Sequence, residues 1–160
     1  MKVVIRRFAL PLAAAVLLAP AAYVALGAVA ELILGNWEVG RLFPFSNAHL
    51  LEEASEGSYV PVADPLFVGF TLLVAACSFS PSMFWGALRA PSSELRFVWL
   101  AALVGIGLMA FSLGPELSSR ASPSIRGAAL FSLGVCVGAS AIGIWFARVI
   151  GSRTRGVVHG

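Results

Sequence analysis

Charged residues are spread unevenly along the chain. Four stretches carry none: residues 8–30, 65–88, 97–115 and 127–147, each at least 19 residues long. About 20 apolar residues in a helix cross the roughly 30 Å hydrocarbon core of a bilayer. The pattern therefore predicts an all-α membrane protein: an antiparallel four-helix transmembrane bundle with one short helix in its outer loop, organised as a single transmembrane domain over 1–160. Once end signals are included, the spans fall at about 8–34, 65–88, 94–113 and 124–150. An outer loop occupies 36–64 and a cytoplasmic tail 152–160.

Helix punctuation places those boundaries. Gly35 stops the first span. Asp64-Pro65 and Ser122-Pro123 each pair an N-cap side chain with proline at the first helical position, where its missing N–H costs nothing. Ser92 is placed to cap the third span, and Gly114-Pro115 closes it. Within the outer loop, Ser46 or Asn47 can cap a short helix that Gly57 ends. Pro20 releases the carbonyl of Val16 and predicts a bend in the first span, which also contains Pro11. Pro81 lies inside the second span. A helix stopping before it would be only about 23 Å long at 1.5 Å per residue, so the span is expected to continue through it with a kink.

The first segment admits a second reading. Lys2, Arg6 and Arg7 precede an apolar run, and Ala28-Val29-Ala30 fits a signal-peptidase site, as in a secretory leader. The apolar run exceeds the usual leader length of about 7–15 residues, so retention as a transmembrane helix is the expectation.

Composition removes whole classes of function. The chain is 59% hydrophobic and 12% charged, with a mean hydropathy of +0.90. Nineteen charged side chains cannot solvate the surface of a soluble domain this size, which excludes a soluble enzyme, a DNA-binding domain and a disordered tail. The net charge of +3 does not indicate a nucleic-acid partner, because the basic residues flank apolar spans instead of forming a patch. With the N-terminus in the cytoplasm, the inner side holds Lys2, Arg6, Arg7, Arg89, Arg96, Arg148, Arg153 and Arg155. The outer side holds Arg41, Arg120 and Arg126, with seven of the eight acidic residues. Eight basic residues against three obey the positive-inside rule. Trp85, Trp99 and Trp145 lie near arginines on the inner side, as an interfacial aromatic belt requires.

Candidate chemistry is sparse. Cys77 and Cys136 sit near mid-span, but without a CxxC spacing they are expected to be apolar packers. Ser78 and Ser80 belong to a polar run around Pro81. They either line a small polar pathway or repair the proline defect through the carbonyl that Pro81 frees on Cys77. Glu31 is the acid closest to a span; deep in the bundle it would be a proton carrier, and at the rim a headgroup anchor reaching Arg120 or Arg126. His49, Glu52, Glu53 and Glu56 share one face of a helical HLLEEASE, yet one histidine is a poor zinc set, and a solvated acidic face is expected. Gly134 and Gly138 form a GxxxG, and Ala101 and Gly105 a small-xxx-small pair, which mark helix packing within the chain or between copies. FSLG recurs at 111–114 and 131–134 without making a convincing repeat. There is no Ser/His/Asp set, no phosphate loop and no haem-ligand histidine within a span.

The expected function is thus a non-enzymatic accessory or interaction subunit of a bacterial inner membrane. The alternative is a small transporter or channel subunit that uses Glu31 with Ser78 and Ser80. No cofactor or metal is expected. The expected partners are the lipid bilayer and a homo-oligomer or larger membrane complex.

Overall fold

The computed structural model describes residues 2–89 and 95–156. Among the described residues six α-helices follow one another: α1 (Lys2–Leu42), α2 (Ala48–Glu56), α3 (Pro65–Arg89), α4 (Leu95–Ser112), α5 (Gly114–Leu117) and α6 (Pro123–Gly156), with 3-10 turns at Pro44–Ser46 and Pro61–Ala63. No strand occurs among the described residues. Among the described residues, three helical segments are long and apolar enough to cross a membrane: Pro65–Leu88, Leu95–Ser112 and Pro123–Gly151. The described apolar part of α1, Val24–Gly35, is shorter.

The end signals act as their chemistry dictates. Asp64 Oδ1 accepts from the Leu66 amide at 2.9 Å, and Ser122 Oγ accepts from the Ile125 amide at 3.3 Å. Asn47 caps α2 through the amides of His49 and Leu50, and Gly57 ends it in the left-handed region at φ 83°. The expected cap at Ser92 lies outside the described residues. Helix α3 runs on through Pro81. At the far end, α6 continues to Gly156, past the expected close near Gly151.

Gly35 does more than stop a span. At φ 78° and ψ 172° it breaks α1 into a first arm, residues 2–34, and a second arm, residues 36–42. A methyl group added at Gly27 would lie 2.6 Å from Cζ of Phe43. Gly27 precedes Gly35 by as many residues as Phe43 follows it. Two arms of about 12 Å each therefore leave the break and return to one level. The connection folds back onto the bundle instead of standing away from it. Phe43 meets Phe70 edge-on at 5.2 Å, and Phe67 stacks between Phe45 and Phe131. Leu50 and Ala54 bury the inner face of α2, and Ser122 Oγ donates to the Ala54 carbonyl, tying α2 to the start of α6.

Helix α3 is the central element and packs most extensively on α6 and α1. Two buried clusters give the helix directions. Ala75 and Phe79 meet Cys136 and Ala139 in one, while Met83 and Ala87 meet Ile144 and Ala147 in the other. Numbers rise together, so α3 and α6 run parallel. Leu95, Val98 and Ala102 of α4 join the second cluster, and Ile106 and Met109 pack on the first, so α4 runs opposite to both. Helices α3 and α6 meet backbone to backbone: a Cβ on Gly143 would collide with the Ser80 carbonyl oxygen and approach the Phe84 nitrogen at 3.1 Å.

Candidate functional site

The packing of α4 is uneven along its length. Up to Gly105 it buries Leu95, Val98, Ala101, Ala102 and Gly105 itself. Small residues at three of those positions allow close approach. Beyond Gly105 the helix carries Leu108, Phe111 and Ser112 on exposed positions. A cavity of about 490 Å³ opens there between α4 and the α3–α6 pair, within the ~300–1,000 Å³ range of small-molecule pockets. Its deep end is formed by Ala75, Phe79, Gly105 and Cys136. Its walls are Phe67, Phe70, Val74, Leu108 and Met109. The folded-back connection supplies Leu42, Phe45 and Ser46, and α5 supplies Glu116.

Most hydroxyls in that wall already donate. Ser46 Oγ bonds the Phe43 carbonyl, Ser112 Oγ that of Met109, and Ser132 Oγ that of Ala128. Glu116 differs. It is the one charged residue in the wall, it is partly buried, and its Oε2 is sealed from solvent without a hydrogen-bond partner among the described residues. A buried acceptor left without a donor is costly, roughly 1–3 kcal/mol and more when charged; Nε of Arg126, on the helix against which α5 packs, is likewise buried without a partner among the described residues.

A second polar site holds the connection in place. Asp64 is buried. Arg41 Nε reaches its Oδ2 at 2.8 Å and Tyr59 Oη donates to the same oxygen at 3.1 Å, while Arg41 Nη1 bonds Glu38 at 3.0 Å. Burial, followed by the adjacent Asp64 carboxylate, pushes the Tyr59 phenol well above its ordinary range. The Asp64 hydrogen bond likewise raises Arg41. One carboxylate thus fixes the second arm of α1, the start of α3 and the loop between them.

The residues singled out by sequence are scattered. Glu31 is exposed and lies one turn beyond Gly27. The contact expected with Arg120 or Arg126 is not formed: Arg126 donates through Nη2 to the carbonyls of Ser119 and Ala121, and Arg120 is exposed. Ser78 Oγ bonds Val74 within its own helix at 2.5 Å, and Ser80 Oγ crosses to the Ala139 carbonyl of α6 at 2.7 Å. Ser82 bonds the Ser78 carbonyl. None of these three hydroxyls takes the carbonyl of Cys77. Gly105 is buried in the cavity wall. Gly134 and Gly138 are exposed with nothing within 4 Å of where a Cβ would stand. Within this chain the close contact of α6 is made instead by Gly143, between the buried Ala139 and Ala147.

Cys77 faces outward, while Cys136 is buried with Sγ 3.5 Å from Sδ of Met109. Replacing both cysteines with alanine is expected to lower stability by no more than about 1 kcal/mol, read as the unfolding temperature in detergent. Non-reducing mass spectrometry should detect no intramolecular disulfide. His49 pairs with Glu53 at 3.3 Å on the exposed side of α2, and no group of metal ligands gathers among the described residues.

Sequence reasoning missed Glu116 and the Asp64 site. Glu116 counted only as an outer charge, although its place directly after Gly114-Pro115 put it at the edge of a span. Arg41 was the stronger signal, a lone cation in an acidic connection. Compared with known families, curated proteins and solved structures, the chain matches none.

Proposed function

We infer that the protein is a multi-pass inner-membrane protein of a bacterium in which α1 supplies a fourth crossing. The four helices make an antiparallel bundle with both termini in the cytoplasm and residues 36–64 outside. In this reading its role is that of a non-enzymatic accessory or interaction subunit. The observation that carries the membrane placement is a ring of tryptophans. Trp85, Trp99 and Trp145 are all exposed, and each lies within two residues of a member of the same buried cluster, Met83, Val98 or Ile144. Three exposed indoles at one level form an interfacial belt. The exposed Arg96 and Arg148 stand at that end, and Glu52, Glu53, Glu56 and Glu116 at the other.

The accessory role is supported by how the polar side chains of the crossing helices are used. The buried serines 78, 82, 132 and 140 each donate to the carbonyl four residues earlier. Such hydroxyls build a scaffold and leave no donor chain among the described side chains of these helices. A route using Glu31 with Ser78 and Ser80 has no such support, because Glu31 is exposed and the two hydroxyls are engaged.

Reporter fusions after Arg89 and Arg155 should read cytoplasmic, and one at Gly57 external. An external reading at Arg155 would overturn the four-crossing arrangement. For the role itself, a tagged full chain extracted in mild detergent should co-purify with a stoichiometric membrane partner. Recovery as an isolated chain that catalyses solute uptake in proteoliposomes would replace the accessory reading with a transporter.

A further inference from the structure

The geometry points to the cavity beside α4 as a binding site for an amphipathic amine, with a protonated ammonium head on Glu116 and an apolar chain running inward toward Phe79 and Cys136. The shape of the site dictates this polarity. Glu116 sits with Ser46 and Ser112 at the end of the cavity where α4 closes and the connection begins. The deep end, between Ala75, Phe79 and Gly105, is apolar. A ligand that fills it needs a hydrocarbon body and one polar end, and only the outer end offers a charge.

The sign of that charge selects the head group. Glu116 is the charged side chain lining the cavity, and no ion pair to it forms among the described residues. An ammonium brings three donors to one point, and a charge-assisted bond to a carboxylate is stronger than a neutral one. A phosphate or carboxylate head would be repelled. An alcohol would supply a single donor and no charge. The neighbouring serine hydroxyls, whose protons are committed to backbone carbonyls, remain able to accept from the same ammonium.

Two sources offer this chemistry: an aminophospholipid of the surrounding bilayer and a free lipophilic amine. The mouth of the cavity accommodates either, because Leu108 and Ser112 of α4 are exposed and a chain can enter laterally. The inference does not depend on the accessory role; it concerns what the cavity holds, whatever the bundle assembles with.

Native mass spectrometry of the full chain in mild detergent tests it. Dodecylamine, dodecanol and dodecyl sulfate serve as soluble probes, and phosphatidylethanolamine and phosphatidylglycerol as lipids. The expected result is one saturable dodecylamine adduct, with dodecanol and dodecyl sulfate binding about tenfold more weakly or less. Glu116→Gln should weaken amine binding by about tenfold or more, the scale of a hydrogen bond to a charged group. Glu31→Gln, at an exposed carboxylate away from the cavity, should leave it unchanged. Selective retention of phosphatidylethanolamine over phosphatidylglycerol, lost in Glu116→Gln, would identify the bilayer as the source. Dodecylamine binding without that lipid selectivity would identify a free amine.

Equal binding of amine and alcohol, or amine binding indifferent to Glu116→Gln, would overturn the assignment. If Glu116→Gln does not fold, Leu108→Trp decides the matter, since it adds bulk at an exposed position in the wall. Loss of the amine adduct from folded protein supports the site, and full retention overturns it.

Discussion

Replacing Gly143 with leucine should destabilise the bundle by about 3 kcal/mol or more, the upper end of what overpacking costs. The reason is what the new side chain would strike. A Cβ at Gly143 collides with the carbonyl oxygen of Ser80 and presses on the backbone nitrogen of Phe84. Neither can rotate away as a flexible side chain would, so α3 and α6 must separate. Separation also breaks the Ser80–Ala139 hydrogen bond, worth about 0.6 kcal/mol on average between helices in a bilayer. Ser80→Ala should therefore cost much less than Gly143→Leu. Gly134→Ala and Gly138→Ala provide the control, because nothing lies near either position within the chain. Unfolding temperatures in a single detergent would rank the four variants. A Gly143→Leu protein as stable as Gly138→Ala would refute the close α3–α6 contact.

Asp64→Ala should have a comparable effect, about 3 kcal/mol. Breaking a buried ion pair costs about 3–5 kcal/mol, and the lower end applies because Arg41 is about a third exposed. The substitution also removes the cap on α3, worth about 1 kcal/mol, and leaves the Tyr59 hydroxyl without its acceptor. Asp64→Asn separates these contributions, since asparagine still caps a helix but carries no charge. Limited proteolysis of residues 43–64 reports the local consequence: faster cleavage in Asp64→Ala, with α3 and α6 still protected.

The same site gives a pH dependence with a defined sign. The Tyr59 phenol is raised in the folded protein, first by burial and then by the Asp64 carboxylate. The folded state thus holds its proton more tightly than the unfolded state does. The associated stability is complete below the ordinary tyrosine value of about 10 and is lost as the pH rises above it. A denaturation series from pH 8 to 11.5 should show this alkaline decline in the parent protein. Tyr59→Phe should flatten it, since phenylalanine has no proton to lose. An identical decline in both would locate the alkaline sensitivity elsewhere.

What one chain sequence determines here is local or follows from solvent. Charge-free runs of 19 residues or more dictate apolar helices, because a helix satisfies its backbone polar groups within one segment, whereas the strands of a closed barrel need only about 9–11 residues each. Asp64, Asn47, Ser122, Gly57 and the proline that follows each of two caps set helix ends through bonds only a few residues long. Those boundaries were legible. Which face of a helix touches another was not, because every face of such a helix is apolar and the periodicity that marks a core in water is lost. Within the chain the close contact of α6 is made at Gly143 and not at Gly134 or Gly138, a distinction that depends on rotation about the axis of α6. The doubling back at Gly35, the pairing of Arg41 with Asp64 and the placing of Glu116 at the cavity's outer end likewise depend on distances between residues far apart in sequence. These are decided when helices pack, because only packing removes water from a carboxylate and fixes which donors remain within reach of it.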